Sequence, residues 1–163
     1  MIRLIATGPQ DYAALVGAGS WRGLAIPDGG LEPEPVLAML GALSRRLNQT
    51  QGWGTWFGVA GGEVVCSVAV KDVPRAGSVE IGYGTAPARR GRGHATAAVK
   101  ALLPLLLAKG VVLVRAETAV GNPASGRVLQ KAGFARSGGR HDDEDGALDQ
   151  WIWPAGQRVA AGG

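Results

Sequence analysis

Hydrophobic positions along this chain repeat with two periods, and the switches between them divide it into elements. Leu37, Leu40, Leu43 and Leu47 recur at helical spacing, which predicts a helix over residues 33–48 with Pro33 and Pro35 at its start. Two denser apolar runs, 55–60 and 63–70, are joined by Gly61-Gly62 and predict a β-hairpin. A turn containing Pro74 leads into a fourth strand over 78–85. The alanine- and leucine-rich stretch from 91 to 109 predicts the longest helix, ended by Gly110. Pro104 should kink that helix, because proline removes the bond to the Lys100 carbonyl. A fifth strand follows over 111–118, then a helix over 123–131 with Asn122 as its N-cap, then a closing hairpin of 134–137 and 148–153. Before all of these, 3–6 reads as a first strand, Thr7 as the cap of a helix from Pro9 to about Val16, and the glycine-rich 17–32 as a loop.

The strand–helix–strand unit over 78–118 implies a parallel pair with a right-handed crossover, and so an α/β fold. No internal repeat or linker interrupts the pattern, which predicts one domain over 1–153 and a flexible tail over 154–163.

Composition narrows the picture only slightly. A chain of 163 residues, 46% hydrophobic, suits one domain with a sizeable core. The apolar run 101–108 is too short to span a bilayer, and the N-terminal Met1-Ile2-Arg3-Leu4 lacks a signal-peptide pattern. The expectation is a cytoplasmic protein without membrane contact. Cys66 is the one cysteine and sits in an apolar strand, so it reads as a packed core residue rather than a nucleophile. Two histidines and one cysteine give no metal-ligand spacing, so no metal is expected. Net charge is +4, but the cations are scattered apart from Arg89, Arg90 and Arg92, so nucleic acid is not the expected partner.

That arginine cluster marks the most informative stretch, 79–134. Between a predicted strand and a predicted helix stands Arg90-Gly91-Arg92-Gly93-His94-Ala95. Small residues let a phosphate approach the backbone, and free amides at a helix start point at it. The loop is not a Walker motif, since no Lys-Ser or Lys-Thr follows the glycines, and Thr96 stands where a dinucleotide fingerprint would place its third glycine. Arg90, Gly93 and Ala95 fit Arg-x-x-Gly-x-Ala instead, which resembles the acetyl-CoA pyrophosphate loop of the GNAT superfamily of N-acetyltransferases. Ala86-Pro87 ahead of the loop and the later segment Asn122…Ser125…Lys131-Ala132-Gly133-Phe134 resemble the same family, with a look closest to its RimJ/RimL-like branch.

The resemblance implies a GNAT fold: a mixed, mostly antiparallel sheet of about seven strands, flanked by helices, whose fourth and fifth strands form a splayed parallel pair. It implies an enzyme that moves an acetyl group from acetyl-CoA to a primary amine, a protein N-terminus or a small molecule, by direct attack in a ternary complex. A non-catalytic acyl-CoA-binding sensor or scaffold of the same fold is the alternative. The expected partners are acetyl-CoA and an amine acceptor, and the expected state is monomer or homodimer. Implied cofactor contacts are Gly82, Tyr83, Gly84, Thr85 and Ala86 on the fourth strand, then Arg89, Arg90, Gly91, Arg92, Gly93, His94, Ala95 and Thr96 in the loop, with Asn122, Ser125 and Arg127 beyond. Gly82 and Gly84 mark either a bulge that opens the strand or room for packing.

Amine acetylation needs a group to take the ammonium proton and one to stabilise the departing thiolate. Glu80, on the strand leading to the loop, is the first candidate base. Glu117, on the fifth strand, is the second, or else a support for the Asn122 loop. The tyrosine that many relatives place seven residues after the asparagine is here Leu129, which leaves Ser125 as the hydroxyl at hand, either thiolate partner or local cap. Residues 17–32, including Trp21, and 139–147 are expected to wall the acceptor site. The acidic run 142–145 would favour a cationic amine if it bordered that site.

Overall fold

A computed structural model describes residues 1–48 and 53–155. The expected flexible tail falls, for 156–163, outside the described residues. In chain order the elements are β1 (Arg3–Thr7), α1 (Pro9–Ala14), β2 (Ser20–Trp21), β3 (Leu24–Ala25), α2 (Glu34–Asn48), β4 (Thr55–Ala60), β5 (Glu63–Val70), β6 (Ser78–Thr85), α3 (His94–Ala108), β7 (Leu113–Ala119), α4 (Pro123–Lys131), β8 (Ala135–Asp142) and β9 (Gly146–Trp153). One sheet runs β1-β4-β5-β6-β7-β9-β8, antiparallel at every step except β6–β7. This is the mixed sheet with one parallel pair that the motifs implied. β2 and β3 form an additional small ribbon inside the stretch expected to be loop, and β3 meets β5 at Glu63.

Both faces of the sheet are covered, which is why β4 and β5 are buried almost without interruption. On one face, Val68, Val70 and Ile81 pack under Ala98, Val99, Leu102 and Leu106 of α3, with Leu129 of α4 and Trp151 alongside. On the other, Phe57, Val64 and Ala69 pack with Tyr12 of α1, Leu37 and Leu40 of α2, and Trp21. Cys66 is fully buried, and burial pushes its thiol up to about 12, as suits a packing residue.

Several local expectations change. Gly8, not Thr7, is the N-cap of α1; its amide donates to Asp11 Oδ2 at 2.7 Å, while Thr7 Oγ1 contacts Tyr12 Oη and Thr55 Oγ1. Helix α3 starts at His94 rather than 91, because Gly91 and Gly93 adopt φ of 77° and 78°, outside helical space. It continues through Pro104, whose side chain is exposed, so the carbonyl freed by the missing amide lies on the solvent side. The closing hairpin is longer than its apolar content suggests, and residues 143–145 are only its turn. Asp142 Oδ1 accepts from the amides of Glu144 and Asp145 there.

Candidate active site

The parallel pair β6–β7 is brief. Residues 78–80 pair with 113–115, ending at Glu80 opposite Arg115. Beyond that point β6 keeps only β5 as a partner, from Ile81–Val70 to Thr85–Cys66, and β7 keeps only β9. The two strands therefore part along their C-terminal halves, and each presents an unpaired edge to the gap. No register shift interrupts β6, so the bulge reading of Gly82 and Gly84 is incorrect. A Cβ at Gly84 would overlap the Glu32 carboxylate, and one at Gly82 would lie 3.1 Å from Lys71 Cε. The glycines make room on one face of β6 while Tyr83 points to the other.

Two cavities adjoin the gap. The first, about 570 Å³, is lined by Tyr83, Gly84 and Thr85 of β6, by Arg89–Arg90 and Gly91, by Gly93–Thr96, and by residues of α4. The left-handed Gly93 has no side chain to cap α3, so the first amides of α3 lack intrahelical partners and stand at this cavity. Arg90, Arg127 and Lys131 add positive charge to its wall. Arg89 lines it too, but its guanidinium is paired with Glu63, Nε to Oε2 at 3.0 Å and Nη2 to Oε1 at 3.2 Å. Burial, followed by Arg92, holds the His94 imidazole below its ordinary range. Glycine loop, orphan amides and cations together suit a pyrophosphate with a further phosphate. Three expected contacts stand apart: Gly82 lines the second cavity, Arg92 lines neither, and Ala86 is buried with its amide donating to the Val65 carbonyl at 2.8 Å.

The second cavity, about 650 Å³, lies between β6 and α2. Val36, Met39, Leu40, Ala42 and Leu43 form an apolar wall, and Glu32, Ser67, Arg46, Lys71 and Glu117 supply the polar groups. Tyr83 and Ser125 line both cavities, so the two spaces meet at this pair. Tyr83 Oη is 2.8 Å from Ser125 Oγ and 2.9 Å from the Ser125 carbonyl. Burial pushes the Tyr83 phenol up to about 12, so it stays protonated. Asn122 Oδ1 accepts from the Ser125 amide at 3.4 Å, which is the expected N-cap of α4 and fixes Ser125 in its first turn.

The carboxylates are arranged differently from expectation. Glu80 pairs with Lys71 Nζ at 3.1 Å and lines neither cavity. Glu117 lines the second cavity, but Arg140 grips both its oxygens, at 2.5 and 2.8 Å, and this bonding holds its pKa below the ordinary carboxylate value. Glu32, the last residue of the stretch expected to be loop, is half-buried with Ser67 Oγ at 3.3 Å, and burial raises its pKa. Its position between Gly29-Gly30-Leu31 and Pro33 carries no motif, so only the fold brings it to Gly84.

The second cavity draws on few of the residues expected to wall an acceptor site. Among residues 17–32 only Glu32 reaches the second cavity, and 139–147 contribute nothing to it. Trp21 is core, 4% exposed, edge-on to Phe57 and donating from Nε1 to Asp11 Oδ1 at 3.0 Å. Trp151 is also core, donating to Thr118 Oγ1 at 2.9 Å.

A family model described as an acetyltransferase (GNAT) domain matches residues 3–135. Similar solved structures include an aminoglycoside acetyltransferase, AAC(6')-Ib, in complex with coenzyme A and kanamycin, at 19% identity and TM-score 0.67, covering 93% of this chain and 94% of that one. A spermidine N-acetyltransferase chimera from Vibrio cholerae and hSSAT superposes with TM-score 0.69 at 14% identity, with 93% of each chain covered. RimL, a ribosomal L7/L12 α-N-protein acetyltransferase in complex with coenzyme A, gives TM-score 0.69 at 16% identity, with 93% and 92% covered. At these identities the likeness establishes the fold. No curated protein sequence matches significantly. Among the described residues, no helix is long and apolar enough to cross a membrane, and no cluster of His, Cys, Asp and Glu could hold a metal ion.

Proposed function

The chain belongs to the GNAT acetyltransferase family, and from that premise we propose that it transfers acetyl from acetyl-CoA to a primary amine in a ternary complex. The observation that carries the reading is the meeting of two cavities at Tyr83 and Ser125, where β6 and β7 part. The first cavity receives the phosphorylated end of the cofactor on the amides that open α3, with Arg90, Arg127 and Lys131 facing its charge. The unpaired edge of β6 from Gly82 to Thr85 offers backbone partners to the pantetheine arm. The acceptor enters from the second cavity.

Acetyl-CoA, when bound, supplies the acetyl thioester and its sulfur leaving group. The chain's own part at the sulfur comes from donor counting. Tyr83 has one proton and the Ser125 carbonyl, which can only accept, takes it at 2.9 Å, so the Ser125 hydroxyl donates to Tyr83 Oη at 2.8 Å and is the proton that can turn from the phenol toward the sulfur. Ser125 then holds charge on the departing sulfur, and Tyr83 holds Ser125. Ser125 thus takes the place of the tyrosine missing at Leu129, oriented by Tyr83 from the neighbouring strand. Positioning amine and thioester together at one junction supplies much of the acceleration. Glu80 and Glu117 are committed to Lys71 and Arg140 and serve as structural carboxylates.

The test is thiol release from purified protein with acetyl-CoA and a mixed panel of amines and N-terminal peptides. Acceptor-dependent release is expected. Tight acetyl-CoA binding with no release for any acceptor would favour the non-catalytic module instead.

A further inference from the structure

The second cavity has a composition that selects among amines. Its α2 wall is a continuous apolar surface from Val36 to Leu43, and Met39 and Leu43 are not yet covered by other side chains in full. Its charged groups are mostly spoken for. Lys71 Nζ pairs with Glu80, and Arg46 Nη2 donates to the Lys71 carbonyl at 2.8 Å. Glu117 is neutralised by Arg140. What remains is one carboxylate, Glu32, held by a single hydroxyl and set against β6 at Gly84, next to the Tyr83 that opens onto the first cavity.

We infer that this cavity takes a primary amine carried on an apolar body with no second positive charge, and that Glu32 holds the nitrogen and receives its proton. A second cation on the acceptor would face Arg46 and Lys71 and find no free carboxylate among the lining residues. An apolar body would instead cover Val36, Met39 and Leu43. The apolar chemistry is the same whether the amine is free or belongs to the first residue of a peptide.

The proton step rests on the acetyl transfer proposed above. The ammonium gives one proton to the Glu32 carboxylate, which becomes a carboxyl. The nitrogen lone pair so freed forms the C–N bond, the C–S bond breaks, and its electron pair leaves with sulfur. A further proton is lost from the new amide nitrogen, and two protons in all are shared between sulfur and solvent, so the balance is one amide, one thiol and one released proton.

The experiment uses a homologous series, butylamine, hexylamine and octylamine, with spermidine, kanamycin and a leucine-initiated peptide as further arms. Two readouts are taken: kcat/KM with acetyl-CoA, and calorimetric binding of each amine to the CoA-saturated protein. Each methylene pair buried against α2 should raise both by about tenfold, following roughly 0.8 kcal/mol per CH₂. Met39→Lys, at an exposed position, should flatten that slope without unfolding the chain, and Glu32→Gln should lower kcat/KM across the series while leaving the slope intact. A flat series, or preference for spermidine or kanamycin, would overturn the inference while leaving the transfer standing. A rising binding slope without turnover would uphold the acceptor class and overturn the transfer. A peptide that outperforms the free amines would uphold the class and name the peptide as its source.

Discussion

The two cavities that meet at Tyr83 are built on opposite plans. The first is made largely of backbone: left-handed glycines, a helix start without a side-chain cap, and a strand edge, all within residues 83–96, joined by α4. The second is made of side chains from distant segments, Glu32, α2, β5 and β6, with Glu117 and Ser125 completing it. A backbone site reads the part of a ligand that never varies, and it needs specific residues only where φ or bulk demands them. A side-chain site can be rewritten one residue at a time. The contrast explains how one fold carries a fixed donor and a changeable acceptor.

The largest effect that would sharpen this contrast is at Glu32. Glu32→Gln should lower kcat by about a hundredfold, the usual loss for a positioned base, with CoA affinity unchanged by calorimetry. Gly84→Ala should do much the same by displacing that carboxylate, and the double variant should cost little more than either alone. The acid limb of kcat/KM belongs to the same group. Because burial raises the Glu32 pKa, activity should fall with decreasing pH from above the ordinary carboxylate value, and the limb should vanish in Glu32→Gln.

Next comes the backbone plan. Gly93→Asp puts a side chain at φ 78° and a negative charge among the orphan amides, which should weaken CoA binding by about a hundredfold, or ~3 kcal/mol. Retained affinity would show that the cofactor sits elsewhere and break the comparison. Tyr83→Phe, at the boundary, should cost about tenfold in kcat and about 1 kcal/mol in stability, read by denaturant unfolding. The smallest effect is at Glu117. Its depressed pKa contributes stability that is present above the ordinary carboxylate value and lost as pH falls through the depressed one. Arg140→Gln should remove that acid-side dependence in thermal unfolding while leaving CoA affinity as it was.

The same division decided what could be read before the fold was known. The loop at Arg90–Thr96 and the Asn122 cap are local, so spacing alone revealed them. The main strands and α2, α3 and α4 followed from apolar period. Glu32 escaped because a lone acid before Pro33 has no local signature, and its placement depends on packing against Gly84 across 52 positions of chain. The ion pair of Glu80 was hidden for the converse reason: its place on the strand said nothing of Lys71 across the ladder. Trp21 was assigned to a wall because β2 and β3, two residues each, are too short to leave a period, yet they turn the indole into the core.

The brevity of the β6–β7 ladder has a mechanical consequence. The sheet is in effect two leaves, β1-β4-β5-β6 and β7-β9-β8, stitched by three rungs at one end, while nearer the other β6 reaches only α4, through Tyr83 and Ser125. A ligand lying in the open seam closes it as a substitute strand would. Donor binding should then stiffen the whole molecule, slowing amide exchange along 81–85 and 116–119 together and raising the melting temperature with ligand concentration. The seam would couple cofactor occupancy to the rigidity of the wall on which the acceptor rests.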